Sequence, residues 1–397
     1  MIEISEYFEP IGIKQVMGRL HTTHPLALVN VIDIHTIESG FPDFEVADIA
    51  LVGVAENRNS TSPQIDEKAP DLVRKNLYKL YQGVYKPKIV DLGNIKLGQS
   101  VQDTYFALKT TVAELLKKKV IPVIIGGSQD LTLANYQAYE EVGQIINLVV
   151  IDPKFDLGLE KNGKVTNESY LNQIFTHEPN YLFNYTNLGY QTYFVDQDAI
   201  DLMNKLNFDI YRLGYVRKNL EEVEPLVRNA DLLSFDMSSI RQSDAPGSTH
   251  ASPNGLYGEE ACQITRYAGL SQKITSVGFY ELRTAFDVGE QTSQLLAQMI
   301  WYFFDGFYNK KDEVPTRQTK ESDEFVKYTV TIKEFQNQIK FYKSKKSDRW
   351  WMEIPCPTSL KTKYERQILV PCSYNEYLAA CQDEIPEKWL QAYRKLL

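Results

Sequence analysis

Short apolar segments alternate with amphipathic segments over most of the chain, beginning near residue 47. The apolar segments end in polar residues, as buried strands do. Between them, apolar residues recur at helical spacing, for example over residues 101–119. The predicted strands are 48–55, 88–93, 120–127, 148–152, 191–195, 208–213, 232–236 and 273–279. This alternation predicts an α/β fold, a three-layer αβα architecture with a mostly parallel sheet.

The pattern changes near residue 310, where a polar and charged segment begins. Beyond it, residues 327–332 alternate as a strand does, and residues 386–397 have helical spacing. We therefore expect an αβα domain over residues 1–310 and a small C-terminal α+β extension over residues 311–397. Trp350 and Trp351 belong either to the core of the extension or to a surface that docks on the domain.

The charge is distributed unevenly along the 397 residues, whose formal net charge is −9. Residues 310–397 hold 17 Lys and Arg against 13 Asp and Glu, whereas the rest of the chain holds 26 against 39. An acidic body argues against nucleic acid as a partner. The basic extension is expected to dock on the body or to offer a protein partner its own surface. No segment resembles a membrane span or a signal peptide, and cysteines are few, so we expect a cytoplasmic protein.

Carboxylates gather where the predicted strands end, which is the edge of a parallel sheet that binds ligands. Three strands end in Gly126-Gly-Ser-Gln-Asp130, Asp152-Pro-Lys-Phe-Asp156 and Ser234-Phe-Asp-Met-Ser238, and a fourth is followed by Glu281. A buried Asp is costly unless a cation meets it. Several converging Asp residues therefore predict a cation there, either a metal ion or a Lys or Arg side chain.

In order and in spacing, these segments resemble the ureohydrolase motifs G-G-D-H-S, D-A-H-x-D and S-F-D-x-D over roughly residues 45–310. That family comprises arginase, agmatinase and formimidoylglutamase. The resemblance implies an arginase-like fold and hydrolysis of a C–N bond in a guanidino or formimino group. It also implies two Mn²⁺ ions held by two His and four Asp, and a late Glu, here Glu281, that grips the guanidinium-type group. A homo-oligomer is a further implication.

The chain departs from that pattern at the ligand positions, which read Gln129, Asp152, Lys154, Asp156, Asp236 and Ser238. Both His and one Asp are replaced, and an ammonium group cannot coordinate a metal. We therefore expect either no cofactor or a single divalent cation, Mn²⁺ or Mg²⁺. In the first case Lys154 is the internal counter-ion, with its Nζ within salt-bridge distance of Asp152 or Asp236. In the second, Gln129, Asp152, Asp156 and Asp236 hold the ion.

Two functional hypotheses follow from this mixture of retained and replaced residues. The lost ligands favour a protein without the dinuclear manganese centre that acts as a non-catalytic scaffold or binding protein. The retained Asp residues and Glu281 indicate instead a metal-dependent hydrolase of formimino or guanidino substrates, with one metal or an altered site. Glu281 either recognises an amidine-like ligand or pairs with Arg283. His250 either serves as a substitute ligand or base, or is an exposed loop residue.

Overall fold

The computed structural model describes residues 4–18, 24–62, 66, 68–158, 164–316, 319–332 and 337–396. Within these residues, ten strands form one large sheet. They are β1 (Phe8–Glu9), β2 (Asp33–Ile34), β3 (Ile49–Val54), β4 (Ile89–Ile95), β5 (Ile121–Gly126), β6 (Ile146–Ile151), β7 (Leu182–Tyr190), β8 (Asp209–Arg212), β9 (Leu232–Asp236) and β10 (Ser276–Tyr280). Their order is β1-β4-β3-β5-β10-β9-β6-β7-β8, with β2 beside β4.

The large sheet is covered by helices on both faces. Strand β1 is antiparallel to β4, and the other pairs are parallel. The helices up to residue 309 are α1 (Ile13–Met17), α2 (Ala69–Leu77), α3 (Val101–Lys117), α4 (Leu131–Glu141), α5 (Tyr170–Phe175), α6 (Gln197–Lys205), α7 (Leu213–Lys218), α8 (Leu220–Arg228), α9 (Gly258–Gly269) and α10 (Gln291–Asn309).

Successive residues of β3 show why both faces are apolar. Ile49 and Leu51 pack with α2, α8, α9 and α10, whereas Ala50 and Val52 pack with α3 and α4 on the opposite face. A strand with both faces covered reads as a continuous apolar run, which is the pattern seen in the sequence. The prediction of a three-layer fold with a mostly parallel sheet is therefore confirmed.

One predicted strand is wrong. Residues 191–195 form a turn, and the strand is the preceding segment, β7. Strand β7 carries buried polar residues, so a prediction based on continuous apolar segments did not identify it as a strand. Asn187 Nδ2 donates to the backbone carbonyls of Asp152 (3.3 Å) and Lys154 (3.0 Å), and Asn184 Nδ2 donates to Asp209 Oδ2 (2.6 Å). These bonds compensate the burial of polar side chains in the sheet.

The extension has its own antiparallel sheet, in the order β11 (Phe325–Ile332), β12 (Asn337–Ser344), β13 (Trp350–Glu353) and β14 (Leu369–Cys372). Helices α11 (Tyr374–Cys381) and α12 (Glu387–Leu396) pack on it. Trp350 and Trp389 lie in the resulting core. The indole Nε1 of Trp389 donates to the carbonyl of Glu353 at 3.0 Å, which ties α12 to β13.

The tryptophan pair serves both of the roles considered for it. Trp350 packs in the core of the extension, and the guanidinium carbon of Arg228 in α8 lies 4.4 Å from the ring centroid of Trp351. Arg228 Nη2 also donates to the carbonyl of Trp350, and Arg366 binds Asp231 at 2.5 Å. The extension is thus docked on the body. Its delimitation as a domain at residue 311 stays a prediction.

In the part of the chain that the structure describes, no helix is both long enough and apolar enough to cross a bilayer.

Trp389→Ala should destabilise the protein by about 3–5 kcal/mol, because it empties a large buried volume and removes the bond to Glu353. Urea unfolding followed by far-UV circular dichroism would measure the change. Leu378→Ala in the neighbouring helix α11 is the control, since Leu378 is exposed. Equal free energies of unfolding for the two variants would contradict the assigned role of Trp389.

Candidate active site

Four neighbouring strands carry all of the candidate site residues. The sheet order places β5, β10, β9 and β6 side by side. Gln129 follows β5, Glu281 follows β10, Asp236 ends β9, and Asp152 follows β6. The carboxyl ends of these parallel strands share one edge, so residues up to 152 positions apart meet there. The backbone N–H of Gln129, for example, donates to Glu281 Oε1 at 2.9 Å.

Two tight turns hold Asp152 and Asp236. Asp152 Oδ1 accepts the backbone N–H of Lys154, and Asp236 Oδ1 accepts the backbone N–H of Ser238, each at 2.6 Å. These turns orient the carboxylates without using a side-chain cation. Asp152 Oδ2 is buried, and no donor among the described residues reaches it.

The electrostatics of the cluster favour protons or an added cation. Burial, and then the charge of Asp156, raise the pKa of Asp152 well above its ordinary value. Burial also raises the pKa of Asp156, and burial with the charges of Asp152 and Glu281 raises that of Asp236. The side chains of Asp152 and Asp156 are within hydrogen-bonding reach of each other. Ionised carboxyls only accept, so that contact needs a shared proton or a cation.

Glu281 is held at the same edge by neutral donors. Its Oε1 accepts from Gln129 N–H and from Asn167 Nδ2 (3.1 Å), while Oε2 has no hydrogen-bond donor in the described chain. Arg283 Nη2 lies 3.8 Å from Oε2, which is the local pairing considered above. Burial raises the pKa of Glu281, and the charge of Arg283 opposes that rise.

Two of the acidic residues have an unusual backbone conformation. Glu281 has φ +67° and Asp156 has φ +49°, both in the left-handed region that residues with a Cβ rarely adopt. Such strain concentrates at functional sites, where the surrounding structure over-determines the backbone. In this protein the strained backbone is found at Asp156 and Glu281, two of the four buried acids.

The expectation for Lys154 is wrong. Its Nζ pairs with Glu168 Oε1 at 3.1 Å, and about a third of the side chain is exposed. Burial opposes the charged form, but the hydrogen bond and charge of Glu168 outweigh it and raise the pKa of Lys154. The side chain reaches outward because a partly solvated ion pair costs less than an ammonium group dehydrated among the aspartates. Lys154 is therefore not the direct counter-ion of Asp152 or Asp236.

The remaining ligand positions hold neutral oxygen-bearing side chains. Gln129 is buried, and its Nε2 donates to Ser234 Oγ at 3.3 Å. Ser238 is also buried, and its hydroxyl hydrogen bonds to Asp236. Two neighbours of the cluster carried no motif signal or only a weak one. Asn167 lies in a segment without a recognisable motif, and His250 was considered either as a substitute ligand or base or as an exposed loop residue.

His250 lies close enough to Lys154, Glu168 and Arg283 for their charges to affect it. Burial, and then the charge of Lys154, lower the pKa of His250. Its Nε2 is buried and has no hydrogen-bond partner among the described residues. A neutral imidazole with an unbonded nitrogen therefore lies near the Lys154–Glu168 pair.

The donor chemistry determines which metal ions the site suits. Three aspartates and the Gln129 carboxamide are hard oxygen donors, which Mg²⁺ and Mn²⁺ accept, and the unpartnered Asp152 Oδ2 is available to such an ion. Lys154 and Ser238 supply neither the imidazole nor the carboxylate that the resemblance implies. Within the residues described, no group of three or more His, Cys, Asp and Glu side chains is arranged to hold a metal ion.

Asp156→Asn should gain stability relative to the unmodified protein as pH rises from about 5 to about 8 in metal-free buffer. Folding raises the pKa of Asp156, so its protonated form stabilises the fold at low pH. That contribution is lost as pH rises through the folded-state pKa, and Asn has no proton to lose. Urea unfolding at both pH values measures the difference. Asp201→Asn, at an exposed position, is the control, and an identical pH response in both variants would refute the coupling.

Comparison with known proteins agrees with this fold. The family model for the arginase family matches residues 47–305. The formimidoylglutamase of Staphylococcus haemolyticus (strain JCSC1435) is 25% identical over 64% of this chain and 85% of its own. The crystal structure of the formimidoylglutamase from Bacillus subtilis subsp. subtilis str. 168 matches with a TM-score of 0.66 at 20% identity, over 74% of this chain and 95% of its own. The Trypanosoma cruzi formiminoglutamase solved with Mn²⁺ matches with a TM-score of 0.65 at 18% identity, over 72% and 99%. The chain belongs to the arginase family.

Proposed function

We propose that this protein hydrolyses a C–N bond in a formimino or guanidino substrate, at an altered site that holds at most one divalent cation. The relatives named formimidoylglutamase motivate the substrate class. The expected cytoplasmic location and homo-oligomeric assembly belong to the same proposal.

One observation carries the proposal: four buried acids share one sheet edge, and two of their oxygens, Asp152 Oδ2 and Glu281 Oε2, receive no hydrogen bond within the described chain. An uncompensated buried carboxylate costs several kcal/mol, so such a cluster is explained when a cation completes it. Amidinium and guanidinium groups are planar cations whose N–H donors suit carboxylate oxygens. The cluster is therefore complementary to the reacting group of these substrates.

Each residue of the proposed site has a role that follows from its surroundings. Glu281 Oε2 accepts an N–H of the amidine-like group, while Gln129 and Asn167 fix the other oxygen of that carboxylate. The Lys154–Glu168 pair and Arg283 stand near His250 and can receive the anionic remainder of the substrate or position a water molecule. His250 Nε2 can take a proton from an attacking water and return it to the leaving nitrogen.

A divalent cation, if bound, would draw on Asp152, Asp156, Asp236 and the Gln129 carboxamide, and these side chains would have to move closer together, because no three acids of the described chain are arranged to hold an ion. It would supply Lewis-acid polarisation of the substrate. Lys154 takes no part in holding it, because its Nζ is engaged by Glu168.

A non-catalytic binding protein is the second candidate. It is favoured by a specific observation, the replacement of both His positions by Gln129 and Lys154 and of one Asp by Ser238. In that case the acidic cluster binds an amidine-like ligand without transforming it, and the basic extension contacts a protein partner.

Hydrolysis distinguishes the two candidates. With one equivalent of Mn²⁺, the purified protein should release formamide from N-formimidoylglutamate or urea from a guanidino compound. Glu281→Gln should lower kcat/KM by about tenfold to a thousandfold, because it removes one charge-assisted contact in the reacting complex. Lys118→Gln, on a distant surface pair with Glu45, is the control. Substrate binding measured by calorimetry without any turnover would establish the second candidate instead.

Restoring the family ligands should restore a two-metal stoichiometry. The triple variant Gln129→His, Lys154→His and Ser238→Asp adds a carboxylate to a cluster that already lacks a cation. Without metal it should therefore unfold more easily, by a free energy on the order of 3–5 kcal/mol. Mn²⁺ should raise its Tm strongly by binding the folded state, with two equivalents retained after dialysis. The unmodified protein should retain at most one, and two equivalents in the unmodified protein would refute the altered-site proposal.

A further inference from the structure

A cavity distinct from the acidic cluster lies between the body and the extension. Its volume is about 360 Å³, within the range of small-molecule sites. Arg228 at the end of α8 and Lys273 before β10 line it from the body, and Trp351 in β13 lines it from the extension. Arg228 precedes β9, whose opposite end carries Asp236. The strand therefore separates the two sites by about 15 Å, the rise of its five residues.

The wall of this cavity is rich in cations. Seven Lys and Arg side chains line it against three Glu, counting the described residues. The acids behind the wall are shared between cations. Asp231 receives both Arg366 (2.5 Å) and Lys273 (3.8 Å), and Glu224 receives both Arg228 and Arg349 at 3.0 Å each.

When Asp231 and Glu224 are counted together with the three lining Glu, the seven described cations still exceed the acids by two. Burial lowers the pKa of Lys273 to about 8, the charge of Asp231 opposes that shift, and the charge of Arg366 adds to it. The cavity therefore carries positive potential that an anionic ligand would neutralise.

One guanidinium nitrogen of Arg228 is buried without a hydrogen-bond partner among the described residues. Arg228 is 4% exposed, its Nε binds Glu224 and its Nη2 binds the carbonyl of Trp350. Its Nη1 is buried, and no acceptor among the described residues reaches it. A buried charged donor left unpaired costs free energy, which a bound acceptor would recover.

The rest of the wall is apolar. Leu270, Val314, Ile368 and Leu369 line the cavity together with the Trp351 ring, against which Arg228 already stacks. An inorganic anion would leave this surface uncovered, whereas a neutral apolar molecule would leave the excess cations unmatched. The ligand that meets both conditions has an apolar body and an acidic group.

We infer that this cavity is a binding site for a small amphipathic anion, such as an aromatic or aliphatic carboxylate, seated between the arginase-family domain and its C-terminal extension. Its acidic group neutralises the excess cations of the wall, with Arg228 among them, and its apolar body covers the Trp351 ring. Such a ligand bridges the two parts of the chain, so binding also strengthens their association. The inference is independent of the proposed hydrolysis.

Anilinonaphthalene sulfonate is a suitable probe, because it is an amphipathic anion whose fluorescence reports burial. We expect saturable binding of one equivalent to the full chain, about tenfold tighter than for neutral phenylnaphthylamine, the difference expected for one charge-assisted contact. Arg228→Gln should remove that preference. Because this variant could fail to fold, Ile368→Trp provides a second test that fills the cavity without changing its charge. Lys118→Gln is the matched control for a lost surface cation.

Near-UV circular dichroism should establish that each variant is folded before binding is compared. Loss of the charge preference in a folded Arg228→Gln protein and loss of the probe in a folded Ile368→Trp protein, with both retained in Lys118→Gln, support the site. Equal affinity for the charged and neutral probes would overturn it, as would unchanged binding in the filled cavity or no binding at about 1 mM probe.

Discussion

The burial of negative charge at one edge of the sheet is the constraint on which the site depends. Asp152, Asp156 and Asp236 lie at or just beyond the ends of two buried strands, β6 and β9, so the fold removes their carboxylates from water. Backbone N–H groups orient two of them but do not neutralise them. Protons, a metal ion or a cationic substrate group must supply the missing charge. The hypotheses about this protein differ in which of these three supplies the positive charge.

The motif resemblance implies metal ligands at six positions, and three of those positions are aspartates in this chain. The replaced positions have not become inert. Lys154 forms an ion pair with Glu168, and Gln129 holds Glu281 through its backbone N–H. The site therefore retains buried carboxylates and acquires a partly exposed ion pair nearby. Under the proposed function, the carboxylates bind the cationic reacting group of the substrate.

The extension changes the opposite edge of the same sheet. It docks through Trp351 and Arg366 on residues that precede β9 and β10, and it encloses cations that would otherwise face solvent. Charge is thus unbalanced at both ends of the central strands, negative at one edge and positive at the other. Because the strands are rigid and shared, both sites are held on a single scaffold.

The sequence alone determined the α/β class, the change of architecture near residue 310 and the acids at the strand ends, because apolar periodicity and strand termini are local properties. It also located Glu281 and the altered ligand positions through the order of the motifs. It failed at β7, where buried polar residues are compensated by partners far along the chain. The partner of Lys154 and the environment of His250 likewise depend on which segments the fold brings together. The cavity beside Arg228 was decided only by tertiary structure, because its walls come from two sheets that no local pattern relates.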